Sequence, residues 1–330
     1  MNTDLMITHE MAKNSSGGSE YMHRKLYDGR IPRELLENFQ IQSSRVSQAP
    51  DPTKIRIFFV QDLPGDPAAN EALANGKWEQ FHRIVAVSNW QMQAYVHYYN
   101  IPYSKFVVLH NAIEPIDYVE KPSDGPISLV YTSTPQRGLT ILAPVFAKLC
   151  EKYDDIELDV FSSFKIYGWD DRDKEFEPLF KFLDEHPKIN NLGFQPNDVV
   201  RKNLQLSHIF AYPSIWQETS CIALIEAMSA GLLCVHPNLG ALSETACNWT
   251  LMYQYQEDVN AHANLFYNML EFAIDTVKKN RSLGILASQK SYTDAFYSWV
   301  RRTPEWLVFL HSIVNEPRDL PTPKFVYQTN

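Results

Sequence analysis

Several things are scarce or absent in this 330-residue chain, and each absence removes a class of function. No apolar run approaches the roughly 20 residues that cross a bilayer. The opening MNTDLMITHEMAKN lacks the basic-then-apolar order of a secretory signal. Its four cysteines, Cys150, Cys221, Cys234 and Cys247, contain no C-x-x-C pair and no metal-ligand spacing. Free thiols and no signal fit a reducing, cytoplasmic location, where the Asn248-Trp249-Thr250 sequon has no meaning. The histidines form no H-E-x-x-H, and G-x-G-x-x-G, Walker A and G-x-S-x-G are all missing, so the short signatures of zinc proteases, dinucleotide binders, P-loop enzymes and serine hydrolases are absent. Positive charge is in deficit: 30 Lys and Arg against 39 Asp and Glu give −9, which argues against nonspecific binding to nucleic acid or to an anionic membrane.

What is present is the composition of an ordinary globular protein, 45% hydrophobic and 21% charged, with a length that favours two domains. Short apolar runs alternate with helical patterns, which reads as α/β with largely parallel sheets. LMIT (5–8), FQIQSS (39–44), KIRIFFV (54–60), RIVAVS (83–88) and KFVVLH (105–110) read as strands, with a helix from Trp90 to about Tyr99. Residues 113–126, IEPIDYVEKPSDGP, have the composition of a linker. A second series then begins. Strands are expected at 127–133, 156–163, 189–194, 208–214 and 232–237, and helices at 139–152, 174–185 and 197–206. The tail from about 291 carries an amphipathic helix pattern broken at Pro304, with Trp299, Trp306, Leu307 and Leu310 on its apolar face.

The segment richest in chemistry is YPSIWQETSCIALIEAMSAG, 212–231. A helix is expected to start with Thr219 or Ser220 as N-cap and to end at Gly231. Glu218 would stand just before it and Glu226 inside it, eight residues on. A carboxylate in such apolar surroundings needs a partner, and a diol suits it because a carboxylate accepts from two hydroxyls at once. The free amides of Thr219, Ser220 and Cys221 at the helix start would suit a diphosphate. Asp170, Asp171 and Asp173 contain an Asp-x-Asp, but Arg172 and Lys174 interleave, so a solvated helix start is the better reading than a divalent-metal site. Cys221 at a helix start would have a lowered pKa.

The E-x7-E spacing, with Pro213-Ser214 upstream, resembles the donor-site motif of retaining glycosyltransferases of the group-1 (GT4-like) family. YTSTPQRGL (131–139), NNLGFQPNDVVRKNLQLSHIFAYPS, RIVAVSNWQMQAYVHYYNIPYSKFVVLHNAIEP and the Gly17-Gly18 loop resemble further family segments in the same order. The likeness runs over roughly 15–245 and is greatest to short virus- and phage-type members. The resemblance implies a GT-B fold: two Rossmann-like domains facing a central cleft, with a C-terminal helix returning to the first. The corresponding boundaries are an acceptor-binding domain over 1–115, a linker over 116–126, a nucleotide-sugar domain over 127–290 and a returning tail over 291–330.

By the same resemblance Glu226 would hold the ribose, Glu218 the transferred sugar, and Arg137 the leaving diphosphate. Gln61 and Asp62 stand in FFVQDLP, where the family has V-H-D-L-P; Gln61 replaces a histidine and cannot titrate. Gly17, Gly18, Thr134, Gly193, Phe194, Pro213, Thr219, Ser220, Cys221 and Ile222 complete the implied donor site. Two other departures are the lack of a second basic residue near Ser133 and Thr134, and the lack of glycines within ETSCI.

The implied activity is transfer of a sugar, with retention, from a UDP- or GDP-sugar to a glycan or other hydroxyl acceptor. No metal or other cofactor is implied, and the expected location is the cytoplasm (of the host, were the chain viral). Two alternatives stand beside it: a degenerate nucleotide-sugar or glycan binder without turnover, and a glucosyltransferase acting on modified DNA bases.

Overall fold

The computed structural model describes residues 17–46, 48–281 and 283–320. The strand expected at LMIT (5–8) therefore lies outside the described residues. The chain divides into two compact units. One comprises residues up to Ala112 together with those from Trp299 onward, and the other is Ile113–Ser298.

Among the described residues the first unit has four parallel strands in sequential order, β1 (Phe39–Ser43), β2 (Ile55–Phe59), β3 (Arg83–Ala86) and β4 (Phe106–Val108). Strand β2 reads IRIFF and is almost wholly buried, as a parallel strand covered on both faces should be. Strand β1, the outermost of these described strands, alternates apolar Phe39 and Ile41 with Gln40 and Gln42. The two amide groups donate to the carbonyls of Ala49 and Gln48, and Gln40 Oε1 accepts from the Asp51 amide, whereas Gln42 Oε1 is buried without a partner. Helices α1 (Gly18–Leu26), α2 (Arg33–Leu36), α3 (Pro67–Leu73) and α4 (Asn89–Tyr99) connect or flank the strands. Helix α4 starts at Ser88, whose hydroxyl accepts from the Gln91 amide, and stops at Asn100 in the left-handed region, φ +56°.

The second unit holds six parallel strands: β5 (Ile127–Thr132), β6 (Ile156–Phe161), β7 (Ile189–Asn191), β8 (Ile209–Ala211), β9 (Leu233–Pro237) and β10 (Leu251–Tyr253). Their order is β10-β9-β8-β5-β6-β7. Counted from its own first strand this is 3-2-1-4-5-6, the doubly wound order, and it reverses between β5 and β8. Helices α5 (Leu139–Cys150), α6 (Glu177–Glu185), α7 (Asn197–Leu206), α8 (Ile222–Ser229), α9 (Leu242–Ala246), α10 (Val259–Lys279) and α11 (Gly284–Phe296) complete it. The core joins β5, β6, β8 and β9 to the apolar faces of α5, α8 and α10, including Leu129, Phe146, Val160, Phe210, Met228 and Phe266.

Residues 113–126 contain no helix or strand but are bonded into this unit. Lys290 bonds the Ile116 carbonyl, Gln205 that of Asp117, and Arg281 those of Pro122, Asp124 and Gly125.

Helix α12 (Trp299–Ile313) belongs to the first unit, where the Trp306 ring meets Phe59 edge-on and Arg30 lies over Trp299. The break expected at Pro304 does not occur. Proline removes one helical hydrogen bond, but buried Trp299, Arg302, Trp306, Phe309 and Leu310 keep the helix continuous around it.

The other correction concerns α8. Its N-cap is Cys221, not Thr219 or Ser220, and Cys221 sits at φ +85° without capping through its side chain. Long-range contacts pre-empt the local cap. Glu218 forms a bridge with Gly240 and gives its carbonyl to the Ala241 amide, while the Ser220 carbonyl accepts from the Thr245 hydroxyl. Gly231 does follow the helix end as expected, at φ +72°.

Candidate functional site

The carboxyl edge of a doubly wound sheet opens where the strand order reverses, and ligands bind there. In the second unit that point is flanked by the segments after β5 and β8. The first carries Thr134, Gln136 and Arg137, and the second runs from Tyr212 to Glu218. The two segments touch through backbone. A Cβ on Gly138 would lie 2.2 Å from the Pro213 carbonyl oxygen, and Gly138 has φ +123°, so only glycine fits.

Glu218 is 5% exposed and is held from all sides. Arg137 Nη1 donates to its Oε1 at 2.5 Å, and the Tyr212 hydroxyl donates to the same oxygen at 2.5 Å. Burial, followed by the Glu218 charge, pushes the Tyr212 hydroxyl well above its ordinary pKa, so it remains a donor. The backbone of Glu218 is locked as well, because a Cβ on Gly240 would lie 2.6 Å from the Glu218 carbonyl oxygen. The exposed Trp216 ring faces the Arg137 guanidinium at 5.9 Å, and its backbone N–H and C=O both bond the hydroxyl of buried Ser214.

Around this pair lie buried polar atoms with no hydrogen-bond partner: Thr134 Oγ1, Gln136 Oε1, Arg137 Nε and, after β6, Ser162 Oγ. Buried polar atoms are normally satisfied, so a cluster of orphans at one sheet edge marks a place built for a polar ligand.

Glu226, on α8, is 7% exposed and forms a separate group. Its Oε1 accepts from Arg201 Nη1 at 2.8 Å and from Asn197 Nδ2 at 3.3 Å, both on α7. The apolar surroundings of α8 make such a partner necessary, and the protein supplies one itself. Gly193, at φ +58°, and half-buried Phe194 follow β7. Thr219 and Ser220 lie in the segment between Glu218 and α8, and Ile222 opens the helix, so its unpaired amides begin later than Thr219. Burial pushes the Cys221 thiol well above its ordinary pKa, opposite to the lowering expected at a helix start. Asp170 and Asp171 are exposed, as a solvated helix start requires, but Asp173 is half-buried and accepts from the Ser163 hydroxyl and the Phe164 amide of the preceding turn, a tertiary contact rather than a helix cap.

In the first unit, Gln61 and Asp62 follow β2. Gln61 Nε2 reaches Asn111 Oδ1 at 3.5 Å. The Asp62 carbonyl accepts from Gln91 and Tyr95 of α4, while its carboxyl Oδ2 is buried without a partner. Burial, with Asp66 nearby, raises the Asp62 pKa. Gly17 caps α1 and Gly18 opens it; the next turn brings His23 Nδ1 within 2.7 Å of Ser43 Oγ at the end of β1.

Sequence reasoning missed Tyr212, Gly240, Asn197 and Arg201 as site residues. Tyr212 heads the segment that contains Glu218, and Arg201 lies on the helix before β8, but their partnerships depend on the folded chain.

Residues 119–282 match the family model of glycosyl transferases group 1. The chain is 29% identical over 141 residues to one of the subunits of human phosphatidylinositol N-acetylglucosaminyltransferase, covering 42% of this chain and 28% of that protein. It is 24% identical over 174 residues to the GPI3 subunit of the same-named transferase from Saccharomyces cerevisiae, covering 52% of this chain and 34% of that protein. The chain thus spans about a third or less of the length of these curated relatives. Among solved structures it is similar to a glycosyltransferase from Rickettsia africae ESF-5, with a TM-score of 0.65 and 17% identity over 86% of this chain and 79% of that one. It is also similar to Anabaena HepE in complex with UDP-glucose, with a TM-score of 0.62 and 16% identity over 78% and 72%. The fold is GT-B, with two Rossmann-like domains.

Proposed function

We propose that the chain transfers a sugar, with retention of configuration, from a UDP-sugar to an acceptor hydroxyl. The observation that carries this reading is the Arg137–Glu218 pair, buttressed by Tyr212, at the point where the second sheet reverses its strand order. The charge pattern suits the reaction. Arg137, with the unpartnered hydroxyls of Thr134 and Ser162, offers donors to a departing diphosphate, and a preorganised cation there stabilises the charge that develops. Glu218 supplies a fixed acceptor for hydroxyls of the transferred ring, and Glu226 an acceptor for the ribose. The leaving phosphate takes the proton of the attacking acceptor on the face it vacates, so Gln61 has no titrating role to fill. A uridine donor is favoured because HepE is similar in fold and holds UDP-glucose.

The test is consumption of UDP-glucose and UDP-N-acetylglucosamine by the pure protein, followed as UDP release with and without simple sugar or lipid-linked acceptors. Release of UDP that Arg137→Ala abolishes supports the reading. Tight binding of UDP-sugar with no turnover on any acceptor would favour a binding protein. No stabilisation by any nucleotide would remove the basis of the proposal, since a bound ligand must stabilise by mass action.

A further inference from the structure

The partner of Glu226 has a second attachment. Arg201 Nη1 donates to Glu226 Oε1 at 2.8 Å, while Nη2 of the same guanidinium donates to the carbonyls of Glu114 at 2.7 Å and Pro115 at 3.1 Å. One planar fork therefore joins a carboxylate on α8 to the backbone that opens the second unit. Asn197, one helical turn earlier on α7, bonds the same carboxylate oxygen. Both donors converge on Oε1, and neither takes up Oε2.

We infer that Arg201 is a positioning residue for nucleotide recognition: by fixing Oε1 from an anchored guanidinium, it presents Oε2 of Glu226 to the ribose hydroxyls. The inference rests on the reading of Glu226 as the ribose acceptor. Two physical requirements favour arginine for this task. A carboxylate close to a diphosphate repels it, and a cation bonded to that carboxylate cancels the repulsion without contacting the phosphates. A carboxylate that must receive two hydroxyls in fixed geometry also has to be preorganised, and a guanidinium held by two carbonyls is far less mobile than a free side chain. Arg201 thus contributes through the carboxylate it holds and touches no part of the nucleotide.

The experiment is calorimetry of UDP and of 2′,3′-dideoxy-UDP with the full chain and with Arg201→Ala, Arg201→Lys and Glu226→Gln. The wild type should bind UDP at least about tenfold more tightly than the dideoxy analogue, as expected for hydroxyls bonded to a charged group. In Arg201→Ala that ratio should fall towards one, with the weakening confined to UDP. Arg201→Lys keeps a charge but cannot span Glu226 and two carbonyls together, so its ratio should be intermediate. Because Arg201 also anchors residues 114–115, the ratio within each variant is the readout; a general loosening lowers both affinities and leaves it unchanged. Arg201→Lys serves where the alanine variant fails to fold. An Arg201 variant that keeps the wild-type ratio overturns the inference. A wild type that binds both ligands equally instead overturns the ribose assignment of Glu226.

Discussion

Replacing Glu218 by glutamine keeps the shape of the most constrained side chain in the site and removes its charge. Tyr212 and Arg137 retain an oxygen to donate to, so the hydrogen bonds survive in weaker form. The cation loses its counter-ion. Breaking a fully buried pair costs roughly 3–5 kcal/mol, but the Arg137 side chain keeps 22% of its surface exposed and its bonds are not lost. A loss of about 1–3 kcal/mol follows, or roughly 2–4 °C of melting temperature for each kcal/mol in a unit of this size. The informative part is the response to nucleotide. In the wild type a diphosphate must share Arg137 with Glu218; in the variant it is the only anion available to the guanidinium. UDP should therefore bind Glu218→Gln at least as tightly as wild type, by up to about tenfold, and restore more of its melting temperature. Turnover should fall by about 100-fold or more, since the lost charge faces the transferred ring. Thermal melts and calorimetry with UDP, beside UDP release from UDP-glucose, measure all three. A variant that binds free UDP more than about threefold more weakly than wild type would refute the division of labour between the two glutamates.

Other outcomes are expected. Glu226→Gln should weaken UDP and UDP-glucose alike, by roughly 1.5–3 kcal/mol in calorimetry, which separates it from Glu218→Gln. Gly138→Ala would set a Cβ 2.2 Å from the Pro213 carbonyl oxygen at a φ reserved for glycine; denaturant melts should show a loss of at least about 3 kcal/mol, and a neutral result would mean the two segments do not meet. Burial lowers His236 to about 4 from 6.5, so between those values the unfolded chain holds more protons. Its contribution is complete above pH 6.5 and is lost as pH falls to about 4, by up to about 3 kcal/mol; His236→Gln should flatten that part of the stability–pH curve. Turnover should survive EDTA, whereas loss reversed by Mn²⁺ would bring Asp171 and Asp173 back into the mechanism.

The elements most legible in the sequence are those whose signal is local. Strand β5, ISLVYT, is a buried apolar run, and Ser88 and Gly231 punctuate helices as their chemistry dictates. Legibility ended where distant residues compete for the same backbone. Thr219 and Ser220 are sound N-caps by residue type, yet Gly240, Ala241 and Thr245 claim the segment first and the helix opens at Ile222. Strand β10, LMY, is not legible because it carries no β-branched residue, unlike the equally short β4, β7 and β8. At the site, the spacing of Glu218 and Glu226 marks both carboxylates. Their partners Arg137 and Arg201 lie 81 and 25 residues away in the chain. Arg137 emerged through a family motif, while no pattern points from Glu226 to Arg201.

The return of α12 to the first unit has a consequence for how the protein is made. The second unit is one uninterrupted stretch, Ile113–Ser298, whereas the first leaves off at Ala112 and resumes at Trp299. On a ribosome adding about 5–20 residues per second, the first unit waits on the order of ten to forty seconds for its last helix. Until Trp306 arrives, Phe59 lacks the ring that covers it. The later-synthesised unit is therefore the one able to finish folding first. A released chain ending at Ser298 should already protect the second sheet from protease while leaving the first open to cleavage.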